Sequence, residues 1–246
     1  MSREQGILLG KRVLILGGSS GFGFGIAHLA HAQGANLILV GRDGGKAEQA
    51  AKSIRDSGGE VISRGLDATD SAALRSLLEE IGPIDHAVSM IGGAMGGGFL
   101  QAELETIRGA IEDKFFANLQ IARTLAPYLV EGGSLTLTGG AGGRPDNASG
   151  AIVGNEAIST LVRGLAVELA PKVRANAVAP TWTPTPLWRD VTAADVEATK
   201  AHFLQLIPLG RTAEIEEVAS TYIFLMQCGF ITGQTITVDG GLSLTS

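Results

Sequence analysis

A chain of 246 residues that is 45% apolar is long enough for one α/β core, and a formal net charge of −6 with no run of Lys or Arg argues against nucleic acid or an anionic membrane as the main partner. A single cysteine, Cys228, excludes an internal disulfide framework and offers no zinc-ligand spacing. No stretch approaches the ~20 apolar residues of a membrane span, and Met1 to Gln5 lack an apolar signal core, so an unexported, cytoplasmic protein with a small-molecule substrate is expected.

Along the chain, short β-branched runs alternate with amphipathic stretches. Strands are predicted at about 12–17, 36–40, 60–64, 85–89, 134–138, 173–178 and 235–238. Helices are predicted near 22–33, 44–57, 70–80, 103–130, 150–170, 193–205 and 214–227. The alternation predicts a single α/β domain over 1–246, with a doubly wound parallel sheet of about seven strands and helices on both faces. The first strand runs into Leu16-Gly17-Gly18-Ser19-Ser20-Gly21-Phe22-Gly23-Phe24-Gly25. Glycines there let backbone N–H groups and the positive end of the next helix approach a pyrophosphate without Cβ obstruction, so a dinucleotide is the natural occupant. Ser89 to Gly98, with five glycines after the fourth strand, is expected as a second ligand-facing turn. The irregular stretch opened by Pro180-Thr181-Trp182-Thr183-Pro184-Thr185-Pro186 predicts a substrate lid around 181–212.

Together these features resemble the short-chain dehydrogenase/reductase family from Lys11 to Gly241, which implies a Rossmann-type fold and a nicotinamide coenzyme. Gly17, Gly21 and Gly23 match the family's G-x-x-x-G-x-G turn, and Ser19, Ser20 and Phe22 fall within it. Asp67, followed by Ala68, falls where the family's Asp hydrogen-bonds the adenine. Asn176 and the stretch from Thr232-Gly233 to Gly241 fit as well. Gly92 is the one residue kept from the family's Asn-Asn-Ala-Gly, here Ser89-Met90-Ile91-Gly92, which implies a backbone near the coenzyme with its polar brace gone. After Pro180 the usual Gly is Thr181, while Thr185 keeps the spacing of the group that binds the nicotinamide carboxamide. The second strand ends Val40-Gly41-Arg42, which offers a guanidinium for a 2′-phosphate and no carboxylate for a ribose hydroxyl, so NADP is favoured over NAD.

The family moves its proton with a Tyr, lowers that Tyr's pKa with a Lys four residues later, orients substrate with a Ser and holds a water with an Asn on the preceding helix. Counting back from Arg163-Gly164-Leu165-Ala166-Val167-Glu168-Leu169-Ala170 puts the Tyr at Ala151 and the Lys at Asn155. Neither residue can do that work. The Ser position falls at Gly140 or Thr138, of which Thr138 keeps a hydroxyl. The family's Asn position, counted from Pro127, is occupied by Lys114, so Asn and Lys are exchanged between two helices and Lys114 is a candidate replacement cation; a solvated lysine beside Glu112 and Asp113 is the alternative. Asn118, at i+4 from Lys114, is either the family's Asn displaced or a packing amide.

Tyr128 and Tyr222, the two tyrosines of the chain, sit at apolar helical spacing and read as core or interface. His28, His31, His86 and His202 share no ligand spacing, and no metal is expected. Trp182, Trp188, Met95, Phe99 and Leu187 are candidates for an apolar pocket wall. Two functions remain open: an NADP(H)-dependent oxidoreductase of carbonyl or alcohol substrates with an altered relay in which Lys114, Thr138 or water replaces the Tyr and Asn155 is a further catalytic candidate, or a degenerate member that binds nucleotide or serves as a non-catalytic subunit. Helices near 103–130 and 150–170 are apolar on more than one face, and with the resemblance they imply a homo-oligomer, dimer or tetramer.

Overall fold

The computed structural model describes residues 6–93 and 95–245, so Met1 to Gln5, Ala94 of the glycine-rich turn and Ser246 lie outside the described residues. Seven strands form one parallel sheet: β1 (Arg12–Leu16), β2 (Asn36–Gly41), β3 (Val61–Gly65), β4 (Ile84–Ser89), β5 (Leu129–Thr138), β6 (Val173–Pro180) and β7 (Thr235–Val238). Their order is β3-β2-β1-β4-β5-β6-β7. The chain reverses direction across the sheet between β1 and β4, where Leu16 pairs with Ser89. A crevice opens at the carboxyl ends of strands at such a switch point.

The connecting helices are α1 (Gly21–Ala32), α2 (Gly44–Arg55), α3 (Ser71–Ile81), α4 (Leu104–Ile111), α5 (Ala117–Leu125), α6 (Ser149–Glu168), α7 (Ala193–Leu206) and α8 (Ile215–Gln227). Strand residues alternate between two cores. Leu14, Leu16 and Leu137 pack with Leu74, Ile121, Ile158 and Val162 from α3, α5 and α6. Val13, Ile15 and Leu39 pack on the other face with Ile26, Ala51, Val218 and Tyr222 from α1, α2 and α8. Helix starts follow their caps: Asp43 accepts from Lys46 N at α2, and Asp70 accepts from Ala72 N and Ala73 N at α3.

Two predicted elements differ. The long helix expected at 103–130 is divided into α4, a π-helical turn at Glu112–Phe116, α5 and a 3₁₀ turn at Ala126–Tyr128 around Pro127. The strand expected at 134–138 begins five residues earlier at Leu129. Gly132, with φ of +81°, lets β5 bulge between the Ile84–Leu129 and His86–Ser134 pairs, which hides the early part from a period-two reading.

Candidate functional site

The glycine-rich turn is built for close approach. Gly17 adopts φ of +88°, and a Cβ there would meet Met90 Cβ at 2.8 Å. A Cβ on Gly23 would lie 2.1 Å from the Gly17 carbonyl oxygen, so only glycine lets α1 start this close to β1. Gly17 N and Gly18 N donate to Val40 O at 2.8 and 3.1 Å, which pins the turn to the end of β2. Ser20 is the N-cap of α1 without a side-chain cap bond, and Gly21 and Phe22 form the first turn beyond it. A Cβ on Gly41 would sit 2.9 Å from Ser19 Oγ, so a side chain there would crowd Ser19; Arg42 follows and is exposed. This bare, uncapped cradle fits the phosphates of a dinucleotide.

Other predicted coenzyme residues ring the same edge of the sheet. The Asp67 carboxylate accepts from Thr69 N and Thr69 Oγ1 at 2.9 and 2.8 Å. Those bonds, and then the charge of Arg42, hold its pKa below the usual carboxylate range. Ala68 is buried beside it. Pro180 O accepts from Ala141 N at 2.9 Å and ties the end of β6 to the loop after β5. Thr185 caps a short 3₁₀ turn at Pro186–Trp188, and its Cβ lies 3.6 Å from where a Cβ on Gly21 would be.

Lys114 sits in the π turn and is buried, with a relative exposure of 7%. Its chain threads between two glycines: a Cβ on Gly92 would meet Lys114 Nζ at 2.8 Å, and one on Gly154 would meet Lys114 Cβ at 2.9 Å. The Nζ donates to Gly139 O at 3.4 Å, a long contact that leaves most of its donor capacity unspent. Burial pushes its pKa down to about 8. The alternative of a solvated lysine is therefore overturned. π-turns of this kind recur at functional sites, because the extra residue re-aims side chains and frees backbone carbonyls. Asn118 Nδ2 donates to Lys114 O at 2.6 Å, a carbonyl that also accepts from Ala117 N.

The brace expected to be missing is rebuilt from other residues. Ser89 Oγ donates to Asn118 Oδ1 at 2.7 Å, and Asn118 Nδ2 also donates to Ile91 O at 3.1 Å. Asn118 is thus a packing amide that locks α5 to the end of β4. Thr138 is not brought to Lys114: its hydroxyl donates to Ser89 O at 2.7 Å and shares a 2.8 Å hydrogen bond with the Tyr222 hydroxyl. β5 alternates, so Thr138 faces α8 while Leu137 faces α6. Tyr222 is fully buried and its pKa is raised by that burial, which leaves it a core residue. Asn155 is half-buried on α6, and a Cβ on Gly140 would touch its Nδ2 at 2.6 Å. Gly140, rather than Thr138, therefore holds the position that faces Asn155.

Among the aromatic candidates, Trp182 stacks on Phe203 of α7 with centroids 5.5 Å apart, and Trp188 lies 6.0 Å from Trp182. Trp188 Nε1 donates to Thr183 O at 3.0 Å. The two indoles pack α7 onto the end of β6. Phe99 and Leu187 are about half exposed, and Met95 Sδ would lie 2.6 Å from a Cβ on Gly150. His86 is buried against Ser134 Oγ at 2.9 Å, and burial pushes its pKa down to about 4. No group of three or more potential metal ligands occurs among the described residues.

What sequence reasoning missed is the room made for Lys114. Gly154 directly precedes Asn155 in the segment where the resemblance expects the Tyr and Lys, and a small residue opposite a long one was the available signal.

With this geometry in place, the chain can be set beside known proteins. A family model described as enoyl-(acyl carrier protein) reductase matches residues 17–243. An L-xylulose reductase of Bos taurus is 33% identical over 250 residues, covering 97% of this chain and 98% of its own. A short-chain dehydrogenase/reductase from Serratia marcescens superposes with a TM-score of 0.86 at 26% identity, covering 96% of this chain and 99% of its own. A small-chain dehydrogenase solved in complex with NADPH superposes with a TM-score of 0.80 at 30% identity, with the same coverage. The chain belongs to the short-chain dehydrogenase/reductase family of oxidoreductases.

Proposed function

We propose that this protein is an NADP(H)-dependent oxidoreductase that interconverts a carbonyl and an alcohol, with the Lys114 amine carrying the proton. The observation that carries this reading is a desolvated lysine, with one long hydrogen bond, beside Gly92 and Gly139 at the carboxyl ends of β4 and β5. An acid–base group serves best when its pKa lies near the working pH, and burial brings Lys114 to about 8. When bound, the nicotinamide supplies or accepts the hydride. Gly17, Ser19, Ser20, Gly21, Phe22 and Gly23 would hold the phosphates, Arg42 the 2′-phosphate, Asp67 with Ala68 the adenine, and Gly92, Pro180 and Thr185 the nicotinamide end. Lys114 in its ammonium form donates a proton to the carbonyl oxygen during reduction and recovers one in the reverse direction. Asn155 offers an amide to orient substrate or water, and the 181–212 segment covers the site. The NADPH complex of a relative at 30% identity supports the choice of coenzyme.

A non-catalytic reading is favoured by one observation: Ala151 has no proton to give, and the Thr138 hydroxyl is already bonded to Ser89 and Tyr222. Titration with NADPH, followed by a screen of ketones and aldehydes, separates the two. Turnover that is lost in Lys114→Ala, with NADPH binding retained, supports the oxidoreductase; binding without turnover of any carbonyl supports the non-catalytic subunit. We further propose a homo-oligomer, supported by Leu104, Phe116 and Val167 exposed on α4, the π turn and α6. Sedimentation showing monomer alone would remove that assembly.

A further inference from the structure

Six lysines occur in the chain, and their surroundings set one apart. Lys11, Lys46 and Lys52 stand opposite aspartates at the surface, and Lys172 and Lys200 reach solvent. Lys114 is buried and makes no ion pair among the described residues. Its neighbours in sequence, Glu112 and Asp113, are exposed. A buried ammonium without a counter-ion is the costly form, so the fold favours the neutral amine, whose nitrogen carries a lone pair. The bond from Nζ to Gly139 O, at 3.4 Å, uses a hydrogen and leaves that lone pair free.

A nucleophile also needs room for what it attacks. Beside Nζ the walls after β4 and β5 are glycine: a Cβ on Gly92 would lie 2.8 Å from Nζ, and Gly139 and Gly140 follow the end of β5. On α6, Ala151, Gly154 and Asn155 share a face by their spacing of three and four residues, and Ala151 puts a methyl group where the resemblance expects a phenol. Gly92, Gly140, Ala151 and Asn155 are each partly exposed, so this strip leads from solvent toward the amine. The Asn155 amide lies over Gly140, next to the residue whose carbonyl Nζ meets.

We infer that Lys114 is a carbonyl-condensing nucleophile, which takes small, unhindered aldehydes as a reversible imine and needs no coenzyme to do so. The nitrogen lone pair attacks the aldehyde carbon, and the proton that nitrogen gives up goes to the carbonyl oxygen. The resulting carbinolamine loses one water to leave a C=N bond; nothing is oxidised or reduced. Asn155 offers its amide to the carbinolamine hydroxyl. Desolvation is what makes a lysine nucleophilic in this chemistry, because a solvated ammonium has no lone pair to give. The inference goes beyond the oxidoreductase reading: the protonated amine serves as an acid and the neutral amine as a nucleophile. With its pKa near 8, both forms are present around neutral pH.

The test treats the full chain at pH 7, without nucleotide, with propanal and sodium cyanoborohydride, a hydride donor that fixes the imine as a secondary amine. Peptide mass spectrometry then locates the propyl groups among the six lysines. A pKa near 8 in place of 10.5 makes the free amine roughly 300-fold more abundant, and its lower basicity returns part of that gain, so Lys114 should be labelled about tenfold faster than any other lysine. Without the reductant the adduct should wash away on dialysis. Lys114→Met should lose the fast phase and keep the slow one; the wild-type map decides by itself if that variant fails to fold. Equal labelling of all lysines, a spared Lys114, or a fast phase that survives in Lys114→Met would overturn the inference. Labelling of Lys114 in a chain that turns over no carbonyl with NADPH would uphold the nucleophile and remove the oxidoreductase reading. Turnover without labelling of Lys114 would overturn the nucleophile and leave that reading intact.

Discussion

The two halves of the crevice place their functional groups by different means. Around β1 and β2 the site is made of backbone: Gly17, Gly21, Gly23 and Gly41 leave room, and the uncapped start of α1 supplies the donors. Around β4, β5 and α6 the proposed site rests on one side chain, Lys114, which packs against Gly92, Gly139 and Gly154. A backbone site depends on where the chain must turn, and few substitutions can imitate it. A side-chain site depends on which neighbour fills a space, so the same cation can enter from a different helix.

The largest effect should come from the side-chain half. Lys114→Ala should lower kcat by ~10² to 10⁴, the range for a lost acid–base group, while the NADPH dissociation constant changes by no more than a few fold; steady-state kinetics with parallel calorimetry checks both. A loss of nucleotide binding as large as the loss of turnover would show that Lys114 serves the coenzyme and not the proton. In the backbone half, Arg42→Ala should weaken NADPH by about 10- to 100-fold and spare NADH, since a hydrogen bond to a charged group contributes roughly 1.5–3 kcal/mol.

Stability sharpens the contrast. The folded pKa of Lys114 lies near 8 against an ordinary 10.5, so between these values the unfolded chain binds more protons and stability rises with pH across that window. Below pH 8 the native state carries the full cost of a buried cation, about 3 kcal/mol, because each tenfold loss of proton affinity on folding costs about 1.4 kcal/mol. Lys114→Met should remove the pH dependence and stabilise the protein at pH 7 by about 1–3 kcal/mol in urea unfolding, while lowering kcat as Lys114→Ala does. A wild-type curve flat between pH 8 and 10 would contradict the burial argument. The smallest effect on the chemistry is expected from Thr138→Val, which strands Ser89 O and the Tyr222 hydroxyl: it should cost about 1–3 kcal/mol of stability and leave the NADPH dissociation constant and KM unchanged.

The same division decided what could be read in the sequence. The seven strands, the parallel sheet with helices on both faces and the glycine-rich turn were legible, because β-branched runs and strand-ending glycines leave a local signature that needs no partner. The count along two helices singled out Lys114, which the structure buries; that it stands in for the family's lysine is part of the proposal. The destination of Thr138 was not legible, because a one-residue alternation on β5 decides between α6 and α8, and the bulge at Gly132 obscures the register. Nor was the Ser89–Asn118 brace, whose two members stand 29 positions apart and match no motif. The break of the 103–130 helix at Lys114 likewise has no marker in a run of ordinary helix formers.

The most direct measurement of the central claim is the pH profile of NADPH-driven carbonyl reduction. With Lys114 as the proton donor, kcat should hold below pH 8 and fall tenfold for each pH unit above it, as the ammonium is lost. A rate independent of pH between 7 and 10, or an unchanged profile in Lys114→Ala, would contradict it.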